Sequence, residues 1–410
     1  MFKKNSKNDF SYLNEKDIYL DGACQSLRPL PVIETLETYY KEHNSCGERV
    51  KYKWGRITDE KVNATREKVL NYLKLKKKDY FVSFTLNTTY GLNLILSQFD
   101  AKKAKIKYIV TSEVEHNSPF LSTISFARKN GVKRKVIARN SDGSVNLEDI
   151  PKNSLVVLNS ASNIDGRVLK NIKEVIKKVH ENSGYIVIDA AQTMAHSSYI
   201  LEKCDADAIC FSAHKMYAPS LGGIIMKKSF EPLIETSFIG GGMVDDVELD
   251  SYLLSKDNPE HLYTKFEAGL QAWGEIIALG SAIDWLEKIP KAAKKTLQEN
   301  EQKVFDFFEK YGSVGEVDKT IEERRLHKGK LHLLNYEPSS TMSFYVDGLD
   351  SHLLGEALAE EGIMTRTGYF CVHYYLVHKM HFPPLVRLSF GYQNTPEQID
   401  KLLEALKKVL

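Results

Sequence analysis

The chain has 410 residues, 42% of them apolar by type, and a net charge of +2. That length can bury a sizeable core and suits two domains, or one large α/β unit with an appendage. The near-even charge balance gives no case for nucleic acid or an acidic membrane as partner, and no apolar run is long enough to predict a membrane span.

The opening residues, MFKKNSKNDF, have no apolar h-region, so no signal peptide is expected. Lysine-rich stretches at 74–80 and 101–108 read as solvated turns and helix ends. Five apolar runs then end in polar residues: YFVSFT (80–85), KYIVTSEVEH (107–116), SLVVLNSASN (154–163), GYIVIDAAQ (184–192) and ADAICFSAHK (206–215). Each is short and rich in β-branched residues, so each is expected to be a strand buried on both faces. Helical stretches lie between them, among them 88–99 and 171–184, the second with a glycine stop. Strand alternating with helix predicts an α/β fold with a parallel sheet wrapped by helices.

The pattern changes after about residue 282. A helical stretch over roughly 274–311 leads to short strands at 341–346, 363–368 and 385–391, with helices at 351–361 and 396–410. The expectation is a large domain over 1–282 and a small α+β domain over 283–410, with the N-terminal segment 1–20 packed on the small domain.

In parallel sheets, ligands bind at the carboxyl ends of the strands. Those ends carry Thr88, Thr89, His116, Asn163, Asp189, Gln192, Ser212, His214 and Lys215. A lone lysine is most often a surface residue, but Lys215 follows a buried strand, where partial burial would expose a neutral amine able to form a Schiff base. Asp189 ends the strand YIVID upstream of it. Pyridoxal 5′-phosphate needs such a carboxylate at its ring nitrogen, and a buried aspartate needs a partner. Gln192 can donate to the phenolate oxygen of that ring. Thr88 and Thr89 open a helix, whose free N–H groups suit a phosphate, and Ser212 and His214 add donors. Each signal is weak alone; jointly they point to this cofactor.

With those residues in place the sequence resembles the class V aminotransferase family, of the type I pyridoxal-phosphate fold. The matching pieces include YLDGACQSLRP, NTTYGLNL, EVEHNSPF, SNIDG, IDAAQTMAH, FSAHKMYAP, FEAGLQ, RTGYFC and VRLSFGYQNTPEQID, spread over residues 19–400. The likeness is to the cysteine desulfurase and selenocysteine lyase branch. It implies a large domain with a mostly parallel, seven-stranded sheet. It also implies that Lys215 holds the cofactor covalently, that His116 stacks on its ring, that Asp189 pairs with the ring nitrogen and that Gln192 and Asn163 serve the phenolate side. Thr89, Ser212 and His214 would hold the phosphate. Members are homodimers. The family's RFEAGT is KFEAGL here, so Leu270 stands where a threonine serves the neighbouring subunit's phosphate; Gln271 substitutes or the contact is missing. Tyr90 and Phe370 replace the usual glutamate and histidine.

The resemblance places the substrate-carboxylate arginine at Arg387, where a planar fork suits a carboxylate. Arg366 would orient the loop or raise the local positive potential. The chain's five cysteines are odd in number and irregularly spaced, with no C-x-x-C, which argues against a disulfide framework or zinc cluster and fits a reducing cytoplasm. Cys371 sits in R-x-G-x-x-C, the family's persulfide-loop pattern, and nearby Arg or His⁺ would favour its thiolate. Cys24, Cys46, Cys204 and Cys210 are read as structural. The spacing of His373, His378 and His381 fits no common zinc site, so no metal is expected.

The reading is therefore a cytoplasmic, homodimeric pyridoxal-phosphate enzyme. It converts L-cysteine to alanine and leaves a persulfide on Cys371 for a sulfur-acceptor protein, as in iron–sulfur cluster assembly, with acceptor and pathway open. L-Selenocysteine is an alternative substrate. Another class V aminotransferase or C–S lyase, with Cys371 incidental, or a non-enzymatic scaffold are the other readings.

Overall fold

The computed structural model describes residues 9–14, 16–47, 50–255, 261–315 and 329–408, so the first eight residues of the N-terminal segment and the last two of the expected C-terminal helix lie outside it. A two-residue strand, β1 (Ile18–Tyr19), precedes a large sheet built from β2 (Tyr80–Thr85), β3 (Tyr108–Ser112), β4 (Lys133–Ile137), β5 (Ser154–Asn159), β6 (Tyr185–Asp189), β7 (Ala208–Ser212) and β8 (Gly222–Lys227). The seven strands lie in the order β2-β8-β7-β6-β5-β3-β4. From β4 through β7 every pairing is parallel, and β8 alone runs against its neighbours. The apolar runs of β5 and β7 are buried along their whole length because helices cover both sheet faces.

Two strands of this sheet do not stand out in the sequence. In β4 the sequence KRKVI is charged because it forms the sheet edge, and β8 begins with two glycines that weaken a strand signal. The helical stretch at 171–184 also ends differently from expectation. Its helix is Ile172–Glu181, and the left-handed position after it is Ser183 (φ 55°), with Gly184 one residue beyond.

A hairpin of β9 (Val244–Val247) and β10 (Tyr252–Leu254) follows. The stretch expected as one helix over 274–311 is two, Trp273–Glu287 and Lys291–Tyr311, because Pro290 cannot continue the first and caps the second. The first of these is apolar nearly all round and packs between helices Leu30–Glu42 and Lys53–Tyr72. The chain leaves the large core at Ile289 and enters a second core at Leu297.

That second core covers a sheet of β11 (Gly312–Val314), β12 (Leu331–Leu333), β13 (Thr341–Val346), β15 (Arg366–Gly368) and β16 (Leu385–Ser389), in the order β11-β12-β13-β16-β15. The strand expected at 363–368 is split: β14 (Ile363–Met364) leaves this sheet and pairs in parallel with β1. Helices Ser351–Glu360 and Pro396–Lys407 complete the unit. Among the described residues no helix is long and apolar enough to cross a membrane.

Candidate active site

The carboxyl ends of β3, β5, β6 and β7 and the loops after β15 converge on one cavity of about 340 Å³. All eleven residues singled out from the sequence, from Thr88 to Arg387, line it. The parallel sheet explains the convergence: Asp189 and Ser212 are the last residues of β6 and β7, while His116 and Asn163 follow β3 and β5 within a short loop.

At one end lies the start of helix Thr88–Gln98. Asn87 caps it, accepting from the Tyr90 N–H at 2.9 Å. Ser212 Oγ accepts from the Thr88 N–H at 3.1 Å and lies 2.7 Å from Thr88 Oγ1. Thr89 Oγ1 lies 2.6 Å from Ser118 Oγ. Gly222 permits this approach, since a Cβ there would sit 2.4 Å from the Cα of Asn87. The result is a cluster of hydroxyls and helix N–H groups suited to a phosphate.

Along the floor, Asp189 is buried and accepts from the Ala191 N–H at 2.9 Å. Burial raises its carboxyl, and Ala191 and Lys215 only partly oppose the shift. A cationic ring nitrogen beside it would supply the missing compensation. Lys215 faces the same space; burial lowers its amine below the ordinary lysine value, with Asp189 opposing and Arg387 adding to the effect. His116 caps helix Asn117–Asn130, its Nδ1 accepting from the Ser118 N–H at 3.0 Å. Burial pushes its imidazole down to about 4, so it is neutral, with its proton on Nε2. His214 is lowered to about 4 in the same way. The hydroxyl cluster, the buried carboxylate, the desolvated amine and the neutral imidazole fit an aldehyde-bearing pyridine phosphate. Gln192 Nε2 donates to the Ala23 carbonyl at 2.8 Å, which orients its amide at the cavity wall.

The opposite wall comes from the small sheet. Arg387 on β16 is buried and donates to the Asn163 carbonyl at 3.1 Å and to Asp21 Oδ1 at 3.2 Å. Its Nε and the Asn163 Oδ1 are buried without a protein partner. Two unsatisfied polar groups on one wall mark a place for a polar ligand group. Phe370 covers the Arg387 guanidinium at 4.8 Å. Next to it the exposed Cys371 lines the cavity, its carbonyl accepting from the Asn117 N–H at 2.6 Å.

One residue read as structural belongs to this wall. Cys24 lines the cavity, and Arg366 Nη2 lies 2.7 Å from its Sγ and 2.8 Å from Asp21 Oδ2. Cys204 and Cys210 are buried and Cys46 is exposed. Leu270 is 78% exposed, while Gln271 Nε2 donates to the Gly269 carbonyl at 3.2 Å. Ser118 and Asn87 were also missed; a polar residue two places after His116 and one just before Thr88 were the available signals.

The family model for class-V aminotransferases matches residues 18–402. A protein of Pyrococcus abyssi named as a probable cysteine desulfurase is 29% identical, the alignment covering 97% of this chain and 95% of the relative. A Vibrio cholerae protein of the same name is 28% identical, with 96% and 93% covered. The solved apo cysteine desulfurase of Thermococcus onnurineus superposes with a TM-score of 0.83 at 26% identity, covering 96% of this chain and 94% of that one.

Proposed function

The chain belongs to the class-V aminotransferase family, and we propose that it is a pyridoxal-phosphate-dependent cysteine desulfurase that passes the sulfur of L-cysteine to Cys371. The observation that carries this reading is that Lys215, Arg387 and a thiol, Cys371, line one cavity.

When bound, the cofactor supplies an electron sink for negative charge at the substrate Cα. Asp189 would hold its ring nitrogen, and Thr88, Thr89, Ser212 and His214 its phosphate. Arg387 binds the substrate carboxylate through its guanidinium, whose buried Nε lacks a protein partner, and Asn163 adds the N–H of Nδ2 that is not engaged with the Phe370 carbonyl. Lys215 Nζ, desolvated and therefore a free base more readily than an ordinary lysine, takes the Cα proton. The Cys371 thiolate attacks the substrate sulfur, so that the new S–S bond forms as the Cβ–S bond breaks. Protonation at carbon completes alanine, and His116, whose Nδ1 is held by the Ser118 N–H, would shuttle that proton through Nε2.

The homodimer rests on the class-V resemblance; Leu86, Phe238, Leu249, Leu253 and Leu270 expose apolar side chains that such a contact would cover. The exposure of Cys371 supports hand-over of its sulfur to an acceptor protein, and the free cysteines suit a reducing compartment, with iron–sulfur cluster assembly as one pathway that would use such a hand-over.

The test is to incubate the purified protein with L-cysteine and a thiol reductant and to assay alanine and sulfide together, with L-selenocysteine as a parallel substrate. Wild type yields both products in equal amounts. Cys371→Ala keeps the cofactor's absorbance and loses sulfur release from L-cysteine. Unchanged turnover in that variant, or pyruvate in place of alanine, overturns the reading.

A further inference from the structure

The residues after Cys371 make two kinds of contact. Val372, Tyr375 and Leu376 are buried in an apolar cluster with Leu334, Tyr345 and Leu385 of the small unit and Val114 and Ile164 from loops of the large one. His373 and Tyr374 reach instead to helix Asn117–Asn130, beside the large sheet. The Tyr374 ring stacks on Phe120 with centroids 4.8 Å apart and planes at 21°. His373 Nδ1 lies 3.2 Å from Asn117 Nδ2, and Lys379, further along, forms an ion pair with Glu113.

Phe120 is itself held. The Arg134 guanidinium lies 4.3 Å from its ring centroid, donates to its carbonyl at 3.2 Å and reaches Thr123 Oγ1 at 3.1 Å. The same helix begins at His116 and grips the Cys371 carbonyl through Asn117. Cys371 and Phe370 both have left-handed backbones, with φ of 60° and 48°. Residues with side chains stay in that region only where their surroundings impose it.

We propose that Phe120 and Tyr374 are positioning residues for Cys371. Their stack clamps the thiol loop onto the helix that carries His116, and so holds two consecutive left-handed residues in the conformation that keeps the thiol at the cavity. This rests on the reading that Cys371 receives the substrate sulfur. It also accounts for the tyrosine- and histidine-rich run. One set of its side chains is buried in the apolar seam between the two units, and the other docks the loop on helix Asn117–Asn130. Without the stack the loop populates conformations that carry the thiol away, while Lys215, Asp189 and the hydroxyl cluster at the phosphate end keep their contacts.

The test uses the holoenzyme and the variants Phe120→Ala, Tyr374→Ala, Tyr374→Phe and the double alanine, with Cys371→Ala alongside. In each single alanine variant the kcat for alanine formation falls about threefold to tenfold, the range an aromatic pair accounts for. KM for L-cysteine changes less than kcat, because of the loop's own contact from Phe370 to Arg387, and the cofactor's absorbance change on adding L-cysteine stays at wild type. Alkylation of Cys371 by iodoacetamide, read by peptide mass, accelerates. Tyr374→Phe behaves as wild type because the ring is kept, and the double variant is no worse than either single one.

Wild-type turnover and alkylation in both alanine variants overturn the inference, as does a loss in Tyr374→Phe equal to that in Tyr374→Ala. A fall in activity that only tracks lost cofactor absorbance overturns it too. Full turnover in Cys371→Ala removes the underlying reading and the inference with it; loss there beside wild-type stack variants removes the inference alone.

Discussion

Arg387 Nη2 lies 3.2 Å from Oδ1 of Asp21, a residue from the opposite end of the chain. The other Asp21 oxygen holds Arg366 at 2.8 Å. One carboxylate thus bridges two guanidiniums and helps fix the plane of the buried one.

That orientation matters because a carboxylate is best met by a flat fork of donors. Lysine at position 387 would keep the charge and lose the fork. Arg387→Lys is expected to lower kcat/KM for L-cysteine by about tenfold to a hundredfold, mostly through KM, as suits the loss of a charge-assisted bidentate contact. The cofactor's absorbance should be unchanged. Steady-state kinetics over a range of L-cysteine check this, and a wild-type KM would remove Arg387 from the carboxylate role.

Lys215 carries a pH prediction. Burial lowers its amine despite the opposing Asp189 charge, so the free base, which attacks an aldehyde, is present at lower pH than for an ordinary lysine. The rate at which added pyridoxal 5′-phosphate becomes covalently attached to the apo chain should rise with pH and level off below the ordinary value of about 10.4. Stopped-flow absorbance measures that profile. Lys215→Ala should show no attachment trapped by borohydride.

The FEAG motif, which marked the family resemblance, has a structural role. Glu267 meets the Arg66 guanidinium with both oxygens at 2.6 Å, and its Oε1 also accepts from the Phe84 N–H at 2.6 Å. Arg66 donates to the Val82 carbonyl at 2.6 Å and lies 3.7 Å from the Tyr263 ring centroid. The pair ties helix Lys53–Tyr72 to β2, with both side chains nearly sealed from solvent. Removing one partner leaves a buried charge uncompensated, so Glu267→Ala should cost about 3–5 kcal/mol of stability. Denaturant unfolding of wild type and variant measures the difference; a loss under about 1 kcal/mol would show that the pair is worth no more than an exposed one.

The strands that build the site were legible because burial on both faces leaves continuous apolar runs, and the polar residues at their ends stand out against them. The edge strand β4 and the glycine-led β8 were not, since position in the sheet and close packing set their residues more than strand propensity does. Asp189, Lys215 and Ser212 could be read locally, because a strand end fixes where a side chain emerges. Cys24 could not. Its partner Arg366 is 342 residues away, and the two segments meet through long-range contacts, the pairing of β1 with β14 and the Asp21 ion pairs among them. The break at Pro290 was readable, and a helical pattern continuing on both sides of it concealed it.

Glu115 precedes His116 and is fully buried behind the site. Burial raises its carboxyl to about 7; hydrogen bonds from Ser112 and the Asn159 N–H and the Arg139 charge oppose this, and the Asp189 charge adds to it. An unfolded glutamate titrates near 4.3. Between that value and about 7 the folded chain therefore holds a proton that the unfolded chain has released, and stability falls as pH rises through this window. The stabilising contribution is fully present below about 4.3 and gone above the folded value, a change on the order of 3–4 kcal/mol for one proton over that span. Glu115→Gln cannot titrate. Other groups shift the stability of both proteins alike, so the quantity to compare is the difference between variant and wild type. Denaturant unfolding at pH 5 and pH 8 should show the variant gaining on wild type at the higher pH. An equal difference at both pH values would mean that Glu115 is already ionised in the folded chain, with Arg139 outweighing burial.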